Sequence, residues 1–138
     1  MKAILDTNIL LIVLPTRSPY HKIIQAFNNN RVYQLVITTP IFLEYEEMLS
    51  KKANSAIANI VLAAFFESPN VIVADTYYRW KLITSDMDDN KFTDAYLNGE
   101  ADYLVTNDTH FNIVKTIKFP NINIVSADEF LEILKNTT

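Results

Sequence analysis

Cysteine is absent from this chain, and glycine occurs once, at Gly99. The first absence excludes disulfides, thiolate zinc sites and cysteine nucleophiles together. The second, against a usual glycine share of about 7%, excludes the glycine-rich phosphate cradles of P-loop and dinucleotide-binding proteins. The two histidines, His21 and His110, lie far apart and form no HExxH pair. A metal site would have to be built mainly from oxygen, which suits magnesium or manganese better than zinc. Long apolar runs are lacking too. The longest, Ile57 to Phe66 with Asn59 inside it, is too short to span a bilayer. The start runs Met-Lys straight into a strand-like segment with no signal-peptide pattern, so a cytoplasmic location and no membrane partner are expected.

What is present suffices for a core. Of 138 residues, 49% are hydrophobic and 12% aromatic, consistent with one domain over residues 1–138. The net charge of −4 is unevenly spread. Up to Pro69 there are six basic and five acidic residues; from Asn70 onward, six basic and eleven acidic. Seven of those eleven fall between Asp86 and Asp108, opposed only by Lys91. Such a concentration is either a solvated acidic face or a local acidic pocket, and the spacing along the predicted elements distinguishes the two.

Short, nearly all-apolar runs punctuate the chain at Lys2–Leu5, Leu35–Thr38, Val71–Ala74, Tyr103–Thr106 and Ile122–Val125. Runs of this kind suit parallel strands covered on both faces. Helical stretches lie between them. One follows Thr39-Pro40, where the threonine is placed to cap, the proline suits a first turn, and Ile41, Tyr45, Met48 and Leu49 recur at helical spacing. Ser55–Phe66 and Asp89–Asn98 continue the pattern, with Gly99 placed to end the second. Ser126 and Glu129 have capping-box spacing for a last helix over Asp128–Lys135. No linker or internal repeat interrupts the alternation, which predicts an α/β/α sandwich on a parallel sheet. In such sheets ligands bind beyond the carboxyl ends of the strands, so functional acids should follow strands.

They do. Asp6 directly follows Ala3-Ile4-Leu5, Asp108 comes just after the Tyr103–Thr106 run, and Glu44 lies about one turn into the helix that leaves the second strand. Glu44 stands three after Ile41 and four before Met48, flanking the apolar face, whereas Glu46 and Glu47 point toward solvent. Asp89 is three before Phe92 and continues the stripe formed with Ala95 and Tyr96. Asp86 and Asp88 have an adequate role as caps or as charges at the positive helix end, with Asp88 the nearest substitute for Asp89. Asp94 falls off the stripe and is expected at its flank or in solvent. Four carboxylates in one crevice raise each other's pKa unless a divalent cation sits among them.

The segment Ile4-Leu5-Asp6-Thr7-Asn8 resembles the opening motif of PIN domains. Asp86-Met87-Asp88-Asp89-Asn90-Lys91-Phe92, followed by Ala101 through Asp108, is similar to a second signature, that of a bacterial PIN subfamily of toxins in toxin–antitoxin pairs, the VapC-like ribonucleases. Pro40 through Leu49, with Glu44 inside, is similar to the family's intervening acidic helix. Met87 departs from the subfamily's pattern, where proline is common. The resemblance implies a five-stranded parallel sheet ordered 3-2-1-4-5. It implies magnesium or manganese held by Asp6, Glu44, Asp89 and Asp108, with Asn8 and Thr106 orienting carboxylates or water. The implied activity is endoribonucleolytic cleavage by metal-activated water, leaving a 5′-phosphate and a 3′-hydroxyl. The implied partners are RNA, a cognate antitoxin protein and a second copy of the chain. Arg17, Lys22, Arg79, Lys81 and Lys91 are the candidate RNA contacts, and Tyr20, Tyr77 and Tyr78 suit a core or interface as well as base stacking. Two other readings compete: a receiver-like phospho-acceptor domain, disfavoured because Thr7-Asn8 follows Asp6, and an inactive PIN fold serving as a binding module.

Overall fold

A computed structural model of the chain describes residues 1–28, 32–75, 90–117 and 119–137. Five strands, β1 (Lys2–Leu5), β2 (Gln34–Ile37), β3 (Val71–Val73), β4 (Tyr103–Val105) and β5 (Ile124–Val125), form one sheet in the order β3-β2-β1-β4-β5. Every pairing is parallel. The helices are α1 (Thr7–Val13), α2 (His21–Asn28), α3 (Thr39–Lys52), α4 (Ser55–Glu67), α5 (Asn90–Asn98), α6 (Asn112–Lys115) and α7 (Ala127–Thr137), with a 3-10 turn over Thr109–Phe111. Helix α5 lies against β1, β2 and β4, α7 lies against β5 and α2, and α3 packs on α1 and α4. The result is the three-layer α/β/α sandwich that the alternation predicts.

The central strand β1 is buried from Ala3 onward, as expected of an apolar parallel strand with neighbours on both sides. Aromatic rings fill the space beside it: Tyr33 meets Phe130 edge-on at 5.2 Å, and Phe27 meets Phe65 edge-on at 5.9 Å. The buried Tyr33 hydroxyl donates to the Ile23 carbonyl at 2.9 Å, so the ring enters the core without an unmet polar group.

Helix boundaries follow the caps. Thr38, one residue earlier than expected, caps α3: its Oγ1 accepts from the Ile41 N–H at 3.5 Å, and Pro40 falls in the first turn. Ser126 and Glu129 close the expected box at α7, Ser126 Oγ accepting from the Glu129 N–H at 3.1 Å and Glu129 Oε1 from the Ser126 N–H at 3.0 Å. Gly99 does follow the last residue of α5, but Glu100 takes the left-handed conformation there, with φ 53°. Glu100 N–H bonds to the Leu97 carbonyl and Ala101 N–H to that of Tyr96, the paired bonds of a Schellman end. Gly99 is needed for closeness instead. A Cβ there would lie 2.7 Å from the Ala95 oxygen and 2.8 Å from Val36 Cγ1.

Asp94 is a correction to the sequence expectation. It is buried, because α5 is covered on more than one side and buries Asn90 and every residue from Phe92 to Tyr96. The apolar stretch of α4 buries one face only, Ala58, Leu62 and Phe65, leaving Ile60 and Phe66 exposed. Among the described residues no helix is long and apolar enough to cross a membrane.

Candidate active site

The chain runs outward from β1 to β2 and β3, then returns across β1 to build β4 and β5. The strand order therefore reverses between β1 and β4, and their carboxyl ends frame the crevice where such sheets bind ligands. The register pairs Leu5 with Val105. One residue further, the Asp6 N–H donates to the Val105 carbonyl at 3.0 Å, which sets Asp6 beside Thr106.

Asp6 occupies the N-cap position of α1, yet its side chain makes no capping bond. Its Oδ2 accepts from Thr106 Oγ1 at 2.8 Å, and the same hydroxyl accepts from the Asp108 backbone N–H at 3.0 Å. Thr106 is thus fixed by two bonds and ties the position of one acid to the backbone of the other. Asp108 opens the 3-10 turn, its Oδ1 accepting from the His110 N–H at 2.9 Å. Glu44 reaches the same place from α3, which the buried Tyr45 anchors by donating its hydroxyl to the Leu5 carbonyl at the end of β1. Glu46 and Glu47 are exposed.

Asp6, Thr7, Asn8, Glu44, Met48 and Asp108 together line one cleft of about 160 Å³. Three of the four expected acids therefore converge, while Asp89, like Asp86 and Asp88, lies outside the described residues. Burial, the largest influence, pushes the Asp6 carboxyl up from its ordinary 3.8 to about 6. Hydrogen bonds from Thr106 and the Thr7 backbone oppose the shift, and the negative charges of Glu44 and Asp108 add to it. Buried negative charge in excess of its local compensation is what a cation would relieve.

Two side chains escaped the sequence reading in this role. Thr7 Oγ1 donates to Glu44 Oε2, and Lys91 Nζ donates to Glu44 Oε1 at 2.9 Å. Both partners are remote from Glu44 in sequence, so spacing offered no signal. Of the other candidate RNA contacts, Arg17 and Lys22 are exposed, Tyr20 is half-buried, and Arg79, Lys81, Tyr77 and Tyr78 lie outside the described residues.

A family model for the PIN domain matches residues 2–110. The chain belongs to the PIN domain family. That membership sets aside the receiver-like reading. Among solved structures, this PIN domain is similar to a chain of VapBC2 from Rickettsia felis bound to a DNA fragment from its promoter. The TM-score is 0.60 at 20% identity, over 91% of this chain and 98% of that one. A chain of DNA-bound VapBC from Salmonella typhimurium aligns with TM-score 0.61 at 16% identity, over 92% and 98%. The PIN domain of T. brucei RRP44 aligns with TM-score 0.51 at 17% identity, over 97% and 80%. Identities this low speak for a shared fold. No curated protein sequence matches the chain significantly.

The donor chemistry of the cleft fits a hard divalent ion, since Asp6, Glu44 and Asp108 offer carboxylate oxygen, with the exposed His110 ring beside the cleft, its Nδ1 3.4 Å from Asp108 Oδ1. Among the described residues, no group of three acidic or histidine side chains is arranged to hold an ion as it stands.

Proposed function

We propose that this PIN domain is an endoribonuclease dependent on magnesium or manganese, acting as the toxin of a toxin–antitoxin pair. The observation that carries the nuclease reading is the convergence of Asp6, Glu44 and Asp108 on one cleft at the strand-order switch of a PIN sheet. Asp6, Glu44 and Asp108 would hold the ion, with Asp89 as the fourth acid. A bound divalent ion supplies Lewis acidity toward the phosphodiester and makes water a stronger nucleophile near neutral pH.

The chain's own residues do the positioning. Thr106 orients the Asp6 carboxylate, Thr7 and Lys91 hold the two oxygens of Glu44, and the start of the 3-10 turn fixes Asp108. Of the candidate RNA contacts, Arg17 and Lys22 are the exposed cations among the described residues, placed to meet backbone phosphates. The toxin reading is supported by the fold shared with VapBC chains and by the apolar residues of α4 left for a partner or a second copy.

Purified protein should cut RNA in manganese and lose that activity in chelator, with 5′-phosphate ends on the products. An Asp108→Asn variant should be inactive. Equal cleavage by variant and wild type would mean contamination, and no cleavage by either would favour the inactive binding module. Induced alone in a bacterial host, the wild type should arrest growth while the variant does not; co-expressing a protein encoded beside it should relieve the arrest. Equal slowing by both would remove the toxin reading and leave the nuclease reading standing.

A further inference from the structure

Lys91 stands in the first turn of α5 with its side chain 22% exposed, and its ammonium is turned across to Glu44 on α3. A lysine serving as a solvent-facing phosphate contact would keep that ammonium in water over a long stem. The exposed Lys51–Glu47 pair within α3 shows the contrast, with side chains 66% and 61% exposed. Among the described residues, the negative charge facing Lys91 comes from Glu44 in direct contact and from Glu47, which also feels its field. With Thr7 on the other oxygen, both Glu44 oxygens already have a donor.

We propose that Lys91 is a positioning residue that serves as the cleft's built-in counter-cation, holding Glu44 in the metal-free protein and competing with a divalent ion for it. This rests on the reading of the cleft as a metal site. In a cleft shared by three acids, an ammonium on one of them reduces their mutual repulsion. An incoming divalent ion meets that ammonium as a like charge and finds Glu44 Oε1 in use. Loss of the lysine also frees the glutamate side chain, whose re-ordering on the metal opposes the gain, so the sign of the change in affinity is what the titration reads. The consequence is a signature that a simple brace between α3 and α5 lacks: neutralising Lys91 strengthens metal binding.

The test is calorimetric titration of the whole chain with manganese(II) chloride, without RNA, for wild type, Lys91→Gln, Lys91→Met and Lys91→Arg, each checked by circular dichroism. Both neutral variants should bind manganese about tenfold tighter at low ionic strength, with the gain shrinking as salt screens it. Lys91→Arg should stay near wild type. Unchanged or weaker binding by folded neutral variants overturns the proposal and leaves the metal site standing. Unfolding of both neutral variants overturns it as well, since the pair would then be structural. Absence of binding by the wild type removes the metal reading and this inference with it.

Discussion

The two ends of the sheet treat their acids in opposite ways. At the amino end, Asp102 is exposed and its Oδ2 accepts the Lys2 backbone N–H at 2.8 Å. Nearby, Tyr96 donates to the Asp102 carbonyl at 3.2 Å and accepts from the Asn123 N–H at 3.2 Å. Each charge or dipole there has a neutral partner, and the Asp102 carboxylate is open to water. At the carboxyl end, Asp6 is 5% exposed and shares its cleft with two further acids, and its carboxyl is pushed up to about 6. One end is built for stability. The other holds charge in an unfavourable place, which a fold tolerates where the charge has work to do.

The largest test of that contrast exchanges an acid for its amide at each end. Asp6→Asn should reduce manganese-dependent RNA cleavage roughly a hundredfold or more, the scale of losing a principal electrostatic group at a reacting centre. Asp102→Asn should leave cleavage within about twofold, because an amide oxygen still accepts the Lys2 N–H. Single-turnover rates at equal folded fraction decide it. Comparable losses in both variants would erase the distinction between the ends.

The second test is pH. Because the folded-state value for Asp6, about 6, lies above its ordinary 3.8, the folded chain binds more protons than the unfolded chain between those limits. Stability from that proton is fully present below about pH 4 and is lost as pH rises through 6. A shift of this size corresponds to about 3 kcal/mol. Denaturant melts in chelator should show wild-type stability falling across that window. Asp6→Asn should flatten the fall and be the more stable protein at pH 7. An identical slope in both would place the strain elsewhere.

What the chain discloses in one dimension tracks how local the cause is. The strand β1 and the acid that ends it are adjacent residues, and so are the Ser126–Glu129 box and the start of α7. The edge strands β3 and β5 run shorter than their apolar segments suggest, having one pairing partner each. Helix α1 went unseen because Thr7–Val13 is short and nearly all apolar after Asn8, with no polar face to show a period. Helix α2 went unread as well, although its buried Ile23, Ile24, Ala26 and Phe27 recur at helical spacing. Within the cleft, Asp6 and Asp108 were readable as acids that follow strands. The holding of Glu44 by Thr7 and Lys91 depends on three helices meeting, which no spacing records.

The third test returns to the amino end of β4. Gly99→Ala introduces a Cβ within 2.8 Å of both a backbone oxygen and Val36 Cγ1. Overpacking of that kind costs about 1–3 kcal/mol. The variant should melt earlier while cleaving RNA normally per folded molecule. A loss of cleavage at full folding would couple the two ends and break the separation drawn between them.

The smallest effect belongs to the residue beside it. Glu100 holds φ 53° at the position of the Schellman end that glycine commonly fills. Left-handed backbone costs a residue with a Cβ about 1–2 kcal/mol, whereas glycine enters it freely. Part of that gain is offset because glycine loses more freedom on folding. Glu100→Gly should therefore stabilise the chain by about 0.5–1 kcal/mol, read as a shift of the urea midpoint with an unchanged slope. The exposed carboxylate takes no part in the cleft, so cleavage and manganese affinity should stay at wild-type values. The opposite result, lower stability in Glu100→Gly, would mean that the glutamate side chain contributes more at the amino end than its backbone strain costs. Acids would then be structural supports at that end, and the contrast with the strained Asp6 would be sharper still.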